Sequence, residues 1–233
     1  MKELITLKNV KKIYTTGEKK YCALGGVNLS INKGELVCIL GPSGAGKTTL
    51  LNLLGGMDTV TSGTIKVGNE IISKLKDKAL TTYRAKQVGF IFQFYNILPT
   101  LTVLENVELI NDLVDNPKDA KTILKEVGLE KQLNKFPSEL SGGEQQRVSI
   151  ARSIAKNPQI LLCDEPTGAL DSKTGAEVLR LLKDCTKKGT TVIIVTHNAL
   201  ISEIANHTIK LKNGKVVEDI VRKKPKKIDE VVW

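Results

Sequence analysis

GPSGAGKTTLLNLLGG, residues Gly41 to Gly56, is the stretch on which the reading of the fold turns. It fits G-x-x-x-x-G-K-[ST] through Gly41, Gly46, Lys47 and Thr48, with Pro42, Ser43, Gly44 and Ala45 between the two glycines. Before it, Glu35 to Leu40 (ELVCIL) is a short apolar run of buried-strand type. After it, Thr49 to Leu54 is leucine-rich and stops at Gly55-Gly56, the residue type that commonly ends a helix. Strand, glycine loop and helix start together form an anion cradle. Successive backbone N–H groups and the helix N-terminus face the phosphates, and glycine lets the backbone approach them closely. In such a cradle Lys47 reaches the β- and γ-phosphates and the Thr48 hydroxyl ligates Mg²⁺. A chance match is the bland alternative, and the strand before and the helix after weigh against it. The loop is expected to bind a nucleoside triphosphate.

Working outward toward the N-terminus, Leu4–Val10 and Val27–Ile31 alternate like strands, with a loop expected at Lys11–Gly17. That loop carries one aromatic, Tyr14, which reads either as a half-buried loop tyrosine or as a planar platform for a base. Toward the C-terminus, Thr64–Val67 and Glu70–Ile72 flank Gly68-Asn69, a hairpin signal. Val88–Phe92 is another buried strand, ended by Gln93. From Asn96 to Lys135 the pattern is helical: Thr102-x-x-Glu105 is a capping box, and Pro117 is expected to open a second helix stopped by Gly128. This makes an all-helical insert at about 94–157. Leu140-Ser-Gly-Gly-Glu144 then gives a second glycine-rich helix start, with Ser141 and Glu144 at capping-box spacing. Ile160–Cys163 is a buried strand ending on Asp164-Glu165, followed by a helix at about Ser172–Lys188 and the strand Thr191–Val195. A hairpin around Asn213-Gly214 leads into the basic tail, residues 218–233. Strands and helices alternate, the doubly wound α/β plan whose ligands sit at the C-terminal ends of parallel strands.

The second half of a nucleotide site is legible at the strand ends. Asp164 falls beside the glycine loop, where it can hold Mg²⁺, and Glu165, one residue on, can face an attacking water as general base. Adjacent acids are often a solvated loop, but four apolar residues precede this pair. His197 and Gln93 also end strands, where they can contact the γ-phosphate or the metal. The second glycine helix, Leu140 to Glu144, does not fit a self-contained site. If it binds phosphate, that phosphate must come from outside this chain's own loop.

Composition sets wider bounds. The chain has 233 residues and 41% hydrophobic residues, enough for one sizeable α/β core, and only 4% aromatics, so that core must be aliphatic. A net charge of +10 permits a polyanionic partner without selecting one. Four cysteines show no C-x-x-C spacing, which argues against zinc, and Cys38 and Cys163 lie inside apolar runs, which reads as reduced, buried thiols of a cytosolic protein. No run approaches the ~18 apolar residues of a membrane span, so work at a membrane would need a partner. The tail run Arg222–Lys227 reads as a solvated, partly disordered end or as a contact with an anionic leaflet.

Taken in order, these motifs resemble the ATP-binding cassette (ABC) ATPase subunits of membrane transporters over residues 1–217. GPSGAGKT is similar to the family's Walker A, FIFQ to its Q-loop, LSGGEQQR to its signature, ILLCDEPT to Walker B, GALD with Asp171 to the D-loop, and VTH to the switch histidine. The resemblance implies an α/β fold: a P-loop NTPase core with an N-terminal antiparallel β subdomain and an inserted α-helical subdomain. It implies ATP and Mg²⁺ as ligands, Glu165, His197 and Gln93 as catalytic residues, and Thr48, Gln93 and Asp164 around the metal. Tyr14 then becomes the adenine-stacking residue, beside Gly41 to Thr49. The family also implies a head-to-tail dimer in which Leu140, Ser141, Gly142, Gly143 and Glu144 of one chain close on ATP held by the other, and a separate integral membrane permease. The protein would lie on the cytoplasmic face of the membrane through that permease. TTGEKKYCALGGVNLSI, NLLGGMDTVTSGTI and FIFQFYNILPTLTVLENVEL are similar to ATPases of the lipoprotein-release, macrolide-efflux and peptide-antibiotic-resistance type, which transmit mechanical work. Asn198 departs from the family, where Asp is common. A single cassette with 46 residues between Gln93 and Leu140 lacks the tandem domains or long coiled coil of ABC ATPases that act on nucleic acid or ribosomes. No specific nucleic acid is expected. A regulatory cassette with little turnover is the other alternative, against which Lys47, Asp164, Glu165 and His197 are all present.

Overall fold

The computed structural model describes residues 2–231. The chain opens with two fourteen-residue strands, β1 (Glu3–Thr16) and β2 (Lys19–Asn32), paired antiparallel. The expected loop Lys11–Gly17 is therefore strand almost to its end, with register shifts at Val10/Lys11 and Lys12/Ile13 and a turn at Gly17, φ +59°. Pairing explains the difference. Tyr14 lies opposite Tyr21 on β2, and the lysine-rich segment gains its ladder partners from the other arm of a hairpin turned at Gly17 rather than from its own propensity.

β3 (Leu36–Leu40) follows, buried at all five positions, then α1 (Lys47–Leu54). β4 (Ser62–Val67) returns to pair with β1, completing a three-stranded sheet of order β2-β1-β4. The hairpin expected after β4 is reduced to one bridge, Val67 with Glu70, because Ile72–Lys74 coils into a 3-10 turn. The Ser73 hydroxyl accepts from the Ile65 N–H at 3.1 Å, standing in for the missing strand. α2 (Asp77–Gln87) had no counterpart in the sequence reading, for it buries only Leu80 and Tyr83 and its amphipathic signal is correspondingly thin.

β5 (Val88–Ile91) leads to α3 (Val103–Glu108), whose capping box closes as expected, with Glu105 N–H on Thr102 Oγ1 and Thr102 N–H on Glu105 Oε2. α4 (Ala120–Glu126) starts three residues after Pro117, since Asp119 rather than the proline caps it, taking the Thr122 N–H at 2.7 Å. Then come α5 (Gly142–Ala155), β6 (Ile160–Asp164), α6 (Ser172–Lys187), β7 (Thr191–Thr196), the single turn α7 (Ile201–Ile204), β8 (His207–Lys212) and β9 (Lys215–Val221). Asn213 and Gly214 join the last two strands, both at positive φ as a two-residue hairpin turn requires.

The second sheet has the order β5-β6-β7-β3-β8-β9, parallel except for β9 at its edge. Side-chain alternation sorts its strands into two cores. Leu36, Cys38 and Leu40 of β3, with Leu161 and Cys163 of β6, pack against α3 to α6 on one face. Val37 and Ile39, with Ile160 and Leu162, pack against α1 and the antiparallel sheet on the other. A strand covered on both faces must be apolar at every position, which is why these strands stand out as continuous runs.

The tail is anchored rather than loose, although its Lys223, Lys224, Lys226 and Lys227 side chains stay exposed. β9 runs to Val221, and beyond it Ile228 and Val231 are buried against the helical face. Arg222 bonds the Thr208 hydroxyl, Lys226 pairs with Glu203 at 2.7 Å, and Arg180 on α6 pairs with Asp229. Apolar side chains at 228 and 231 give the basic run an anchor that charge composition alone conceals. Met1, Val232 and Trp233 lie outside the described residues.

Candidate nucleotide site

The glycine loop is shaped by what packs behind it. Gly46 caps α1 at φ +99°, and a Cβ there would lie 2.5 Å from the Ala23 carbonyl oxygen. Only glycine fits both conditions. Lys47 Nζ donates to the carbonyls of Gly41 and Pro42 at 2.8 and 3.0 Å, which folds its ammonium over the loop. Ser43 to Thr49 line a cavity of about 190 Å³, and its remaining wall is Tyr21, whose hydroxyl donates to the Gly44 carbonyl at 3.1 Å. Tyr21 was missed from sequence. Reading Lys11–Gly17 as a loop hides the hairpin turn at Gly17 whose register sets Tyr21 opposite Tyr14.

Beside the loop, a second cavity of about 440 Å³ is lined by Lys47, Thr48, Gln93, Asp164 and Glu165, with Phe92, Phe94 and Asn96. Residues from α1 and from the ends of β5 and β6 thus converge, because parallel strands deliver their C-terminal ends to one side of the sheet. The Thr48 hydroxyl donates to Asp164 Oδ2 at 3.2 Å. Burial pushes the Asp164 carboxyl above its ordinary range, and the Glu165 charge adds to this while the Thr48 hydrogen bond opposes it. A hydroxyl and a carboxylate side by side are hard oxygen donors of the kind Mg²⁺ takes, one or two from protein and the rest from phosphate and water. Among the described residues there is no group of three or more His, Cys, Asp or Glu side chains that could hold a metal alone. The donor set fits a cation brought in with phosphate.

Glu165 sits at φ +47°, an unusual conformation for a non-glycine residue and one worth about 1–3 kcal/mol of backbone strain. Its surroundings over-determine it. The Glu165 N–H bonds the Val195 carbonyl at 2.9 Å, and its carboxylate accepts from Thr196 Oγ1 at 2.8 Å and from the His197 N–H at 2.9 Å. His197 Nδ1 lies 2.7 Å from the same carboxylate, with its own ring largely exposed. Glu165 and His197, ends of adjacent strands, are therefore brought together. Gln93 reaches the same region, since a Cβ on Gly168 would come within 3.1 Å of its Nε2.

Leu140 to Glu144 lie elsewhere and line neither cavity. Ser141 caps α5 in a complete box: its Oγ accepts the Glu144 N–H at 3.3 Å, and Glu144 Oε2 accepts the Ser141 N–H at 2.8 Å. Leu140 is buried behind it. Gly142 and Gly143 are pressed by their own chain, the first by the Tyr95 hydroxyl and the second by Thr174. Thr174 is itself on the first turn of α6, where Asp171 is the N-cap and accepts its N–H at 3.1 Å. The residues read as signature and D-loop are thus adjacent, and apart from the glycine loop. Tyr14 stands on β1, with its hydroxyl on Asp58 at 2.8 Å.

A glycine loop capping a helix, a lysine folded over it and an acidic strand end alongside define a P-loop nucleoside triphosphatase. Residues 24–168 match the family model described as ABC transporter. The chain belongs to that family: it is the ATP-binding cassette of an ABC transporter, and an ATPase. It is 47% identical over 222 residues to the uncharacterized ABC transporter ATP-binding protein MJ1508 of Methanocaldococcus jannaschii, covering 93% of this chain and 99% of that one. It is 43% identical to the macrolide export ATP-binding/permease protein MacB of Haemophilus ducreyi, over 93% of this chain but only 32% of that longer protein. Among solved structures, the dimeric post-hydrolysis state of the cassette MJ0796 bound to ADP and Pi superposes with a TM-score of 0.85 at 42% identity, covering 94% of this chain and 98% of that one. No helix among the described residues is long and apolar enough to cross a membrane.

Proposed function

We propose that this cassette hydrolyses ATP at two composite sites of a head-to-tail homodimer and so drives a separate membrane permease from the cytoplasmic face. The observation that carries the reading is the separation of the two glycine helix starts. The cavities holding Lys47, Thr48, Asp164 and Glu165 include nothing from Leu140 to Glu144, so α5 has a phosphate-binding N-terminus and no phosphate of its own to face. A second copy, turned about a two-fold axis, supplies that phosphate, as isologous dimers do by symmetry. The MJ0796 cassette is dimeric in its solved state with ADP and Pi, which supports the same arrangement here.

In this reading the loop amides and Lys47 hold the β- and γ-phosphates, and Thr48 and Asp164, with Gln93 near them, hold Mg²⁺. When bound, the metal neutralises phosphate charge. Glu165 accepts a proton from water as the water oxygen bonds to the γ-phosphorus and ADP departs. His197, paired to Glu165, orients that carboxylate and reaches the γ-phosphate. Ser141 and Gly143 of the second copy close on the same phosphate, and Asp171 lies next to them through Thr174. The similarity to MacB favours an export or mechanotransmission role for the permease pair.

Size-exclusion chromatography of Glu165→Gln tests the dimer. With Mg²⁺-ATP it should elute as a dimer, because ATP bound only to the closed state stabilises that state by mass action. ADP, which lacks the γ-phosphate, should leave it monomeric. A Glu165→Gln protein that binds ATP and stays monomeric at micromolar concentration overturns the composite site.

A further inference from the structure

Tyr14 is held by two charged side chains whose place in the chain gives no hint of a shared task. Its hydroxyl donates to Asp58 Oδ2 at 2.8 Å. Asp58 Oδ1 accepts from Lys12 Nζ at 2.5 Å and from the Thr59 N–H at 2.7 Å, and Lys12 also donates to the Thr59 carbonyl at 2.8 Å. The Lys12 ammonium in turn stands 4.8 Å from the centroid of the Tyr14 ring, over its face. The cluster is closed and mostly sheltered, with the Lys12 side chain 11% and the Asp58 side chain 25% exposed. Burial draws the Asp58 carboxyl upward, but the bonds from Lys12, Tyr14 and Thr59 outweigh it and keep the group below its ordinary range. Asp58 therefore stays an anion, and a fixed one.

The geometry points to Lys12 and Asp58 as positioning residues that hold Tyr14 as a base platform, with Lys12 on one face of the ring and the nucleotide base on the other. This rests on the reading that Tyr14 stacks on the base. Tyr14 lies opposite Tyr21, whose hydroxyl touches the glycine loop, and cross-strand partners share a face, so Tyr14 stands on the side of the ribbon that looks at the loop. The Thr49 hydroxyl, a wall of the loop cavity, also reaches the Tyr14 phenol. Lys12 is two residues from Tyr14 on the same strand and so shares that face. Asp58 is supplied from the turn just after α1, the helix that the phosphate loop opens. The platform is thereby tied to the phosphate cradle, and a ring held in place loses less entropy when a base stacks on it. A cation on one face of an aromatic ring is attracted by its quadrupole and fixes the ring's tilt without using the second face.

Calorimetric titration separates the base from the phosphates by using MgADP and inorganic tripolyphosphate with Mg²⁺ as probes. Asp58→Asn and Lys12→Met should weaken ADP about 5- to 30-fold, within the range that loss of a stacked base gives. Tripolyphosphate affinity should not change. Lys12→Arg, which keeps a cation over the ring, should retain more ADP affinity than Lys12→Met. Tyr14→Phe keeps the ring and removes only the bond to Asp58, so a loss of about threefold or more for ADP alone is expected, and this variant preserves the test if either charge variant fails to fold. In steady state the same variants should raise KM for ATP and leave kcat within about twofold. Equal losses for ADP and tripolyphosphate would mean that the cluster supports the loop as a whole, and the proposal fails. Unchanged ADP affinity in Asp58→Asn and Tyr14→Phe also overturns it. A wild-type protein that binds tripolyphosphate but gains nothing from the base would overturn the reading of Tyr14 itself, and one that binds neither would remove the nucleotide site.

Discussion

Two helices in this molecule begin with glycine and serine or threonine, and they are built in opposite ways. α1 has no side-chain cap: Gly46 occupies the cap position in a left-handed conformation, and the free amides of the first turn face a cavity. α5 is fully capped from within, Ser141 and Glu144 each satisfying the other's backbone N–H. Around α1 the chain gathers Lys47, Asp164, Glu165 and Gln93. Against the two glycines of α5 it sets Tyr95, Leu170 and Thr174, all uncharged, and the Glu144 carboxylate is engaged by the Ser141 cap. One helix start is built to receive phosphate and do chemistry on it. The other is closed by its own side chains, and in the proposed reading it offers a hydroxyl and amides to a second copy. The lesson is that an anion-binding helix start is no active site until charged groups from other strands converge on it.

The comparison breaks most severely if Glu165 is dispensable. Glu165→Gln keeps the size and most hydrogen bonds, and should lower the ATPase rate by ~10²–10⁴-fold while ADP binds normally in a titration. A wild-type rate would transfer the base role away from the α1 side. Next in size, Lys47→Ala should weaken ATP by about 10- to 150-fold, the worth of a charge-assisted hydrogen bond to phosphate, measured by equilibrium binding. Near-normal affinity there would mean that the amides of α1 suffice, as they do at a simple helix N-terminus.

A mixing experiment asks whether the two helix starts serve one site. Ser141→Arg and Lys47→Ala are each expected to be inactive alone. Mixed in equal amounts they form heterodimers with one intact site and one doubly damaged site, so about a quarter of the wild-type rate should return in a symmetric dimer. No recovery, with heterodimers shown to form, would mean that the sites are not composite or that both must work together. The smallest effect concerns stability. Ser141→Ala removes an N-cap worth about 0.5–2 kcal/mol, and thermal unfolding should fall by roughly 2–4 °C per kcal/mol for a domain of this size. Thr48→Ala removes no cap from α1 and only one 3.2 Å bond to Asp164, so its melting temperature should fall less than that of Ser141→Ala while Mg²⁺-dependent nucleotide binding weakens. Equal melting shifts in both variants would erase the distinction between a self-capped and a ligand-capped helix.

What the amino-acid sequence determined by itself is everything written in short, contiguous signals. The glycine loop with its flanking strand and helix, the apolar runs of β3, β6 and β7, the acids Asp164 and Glu165 at a strand end, and the capping boxes at Thr102 and Ser141 all lie within windows of a few residues. Helix caps and buried strands are local or nearly so, and residue type alone decides them. Tertiary structure decided the rest. The ribbon of β1 continues through Lys11 to Thr16 because β2 is there to pair with it, which turns an expected loop residue, Tyr14, into a fixed strand residue opposite Tyr21. α2 holds its place with two buried side chains, too few for a periodic pattern to show. Lys12 and Asp58, 46 residues apart, meet only after β1 and α1 have packed. The basic tail is tied down by Ile228 and Val231 against a core that its own composition cannot reveal. Apart from the β1–β2 hairpin, where the partner strand is near but its pairing shows in neither strand's own pattern, the partner is remote in sequence, and a contact between remote residues leaves no period for either segment to display.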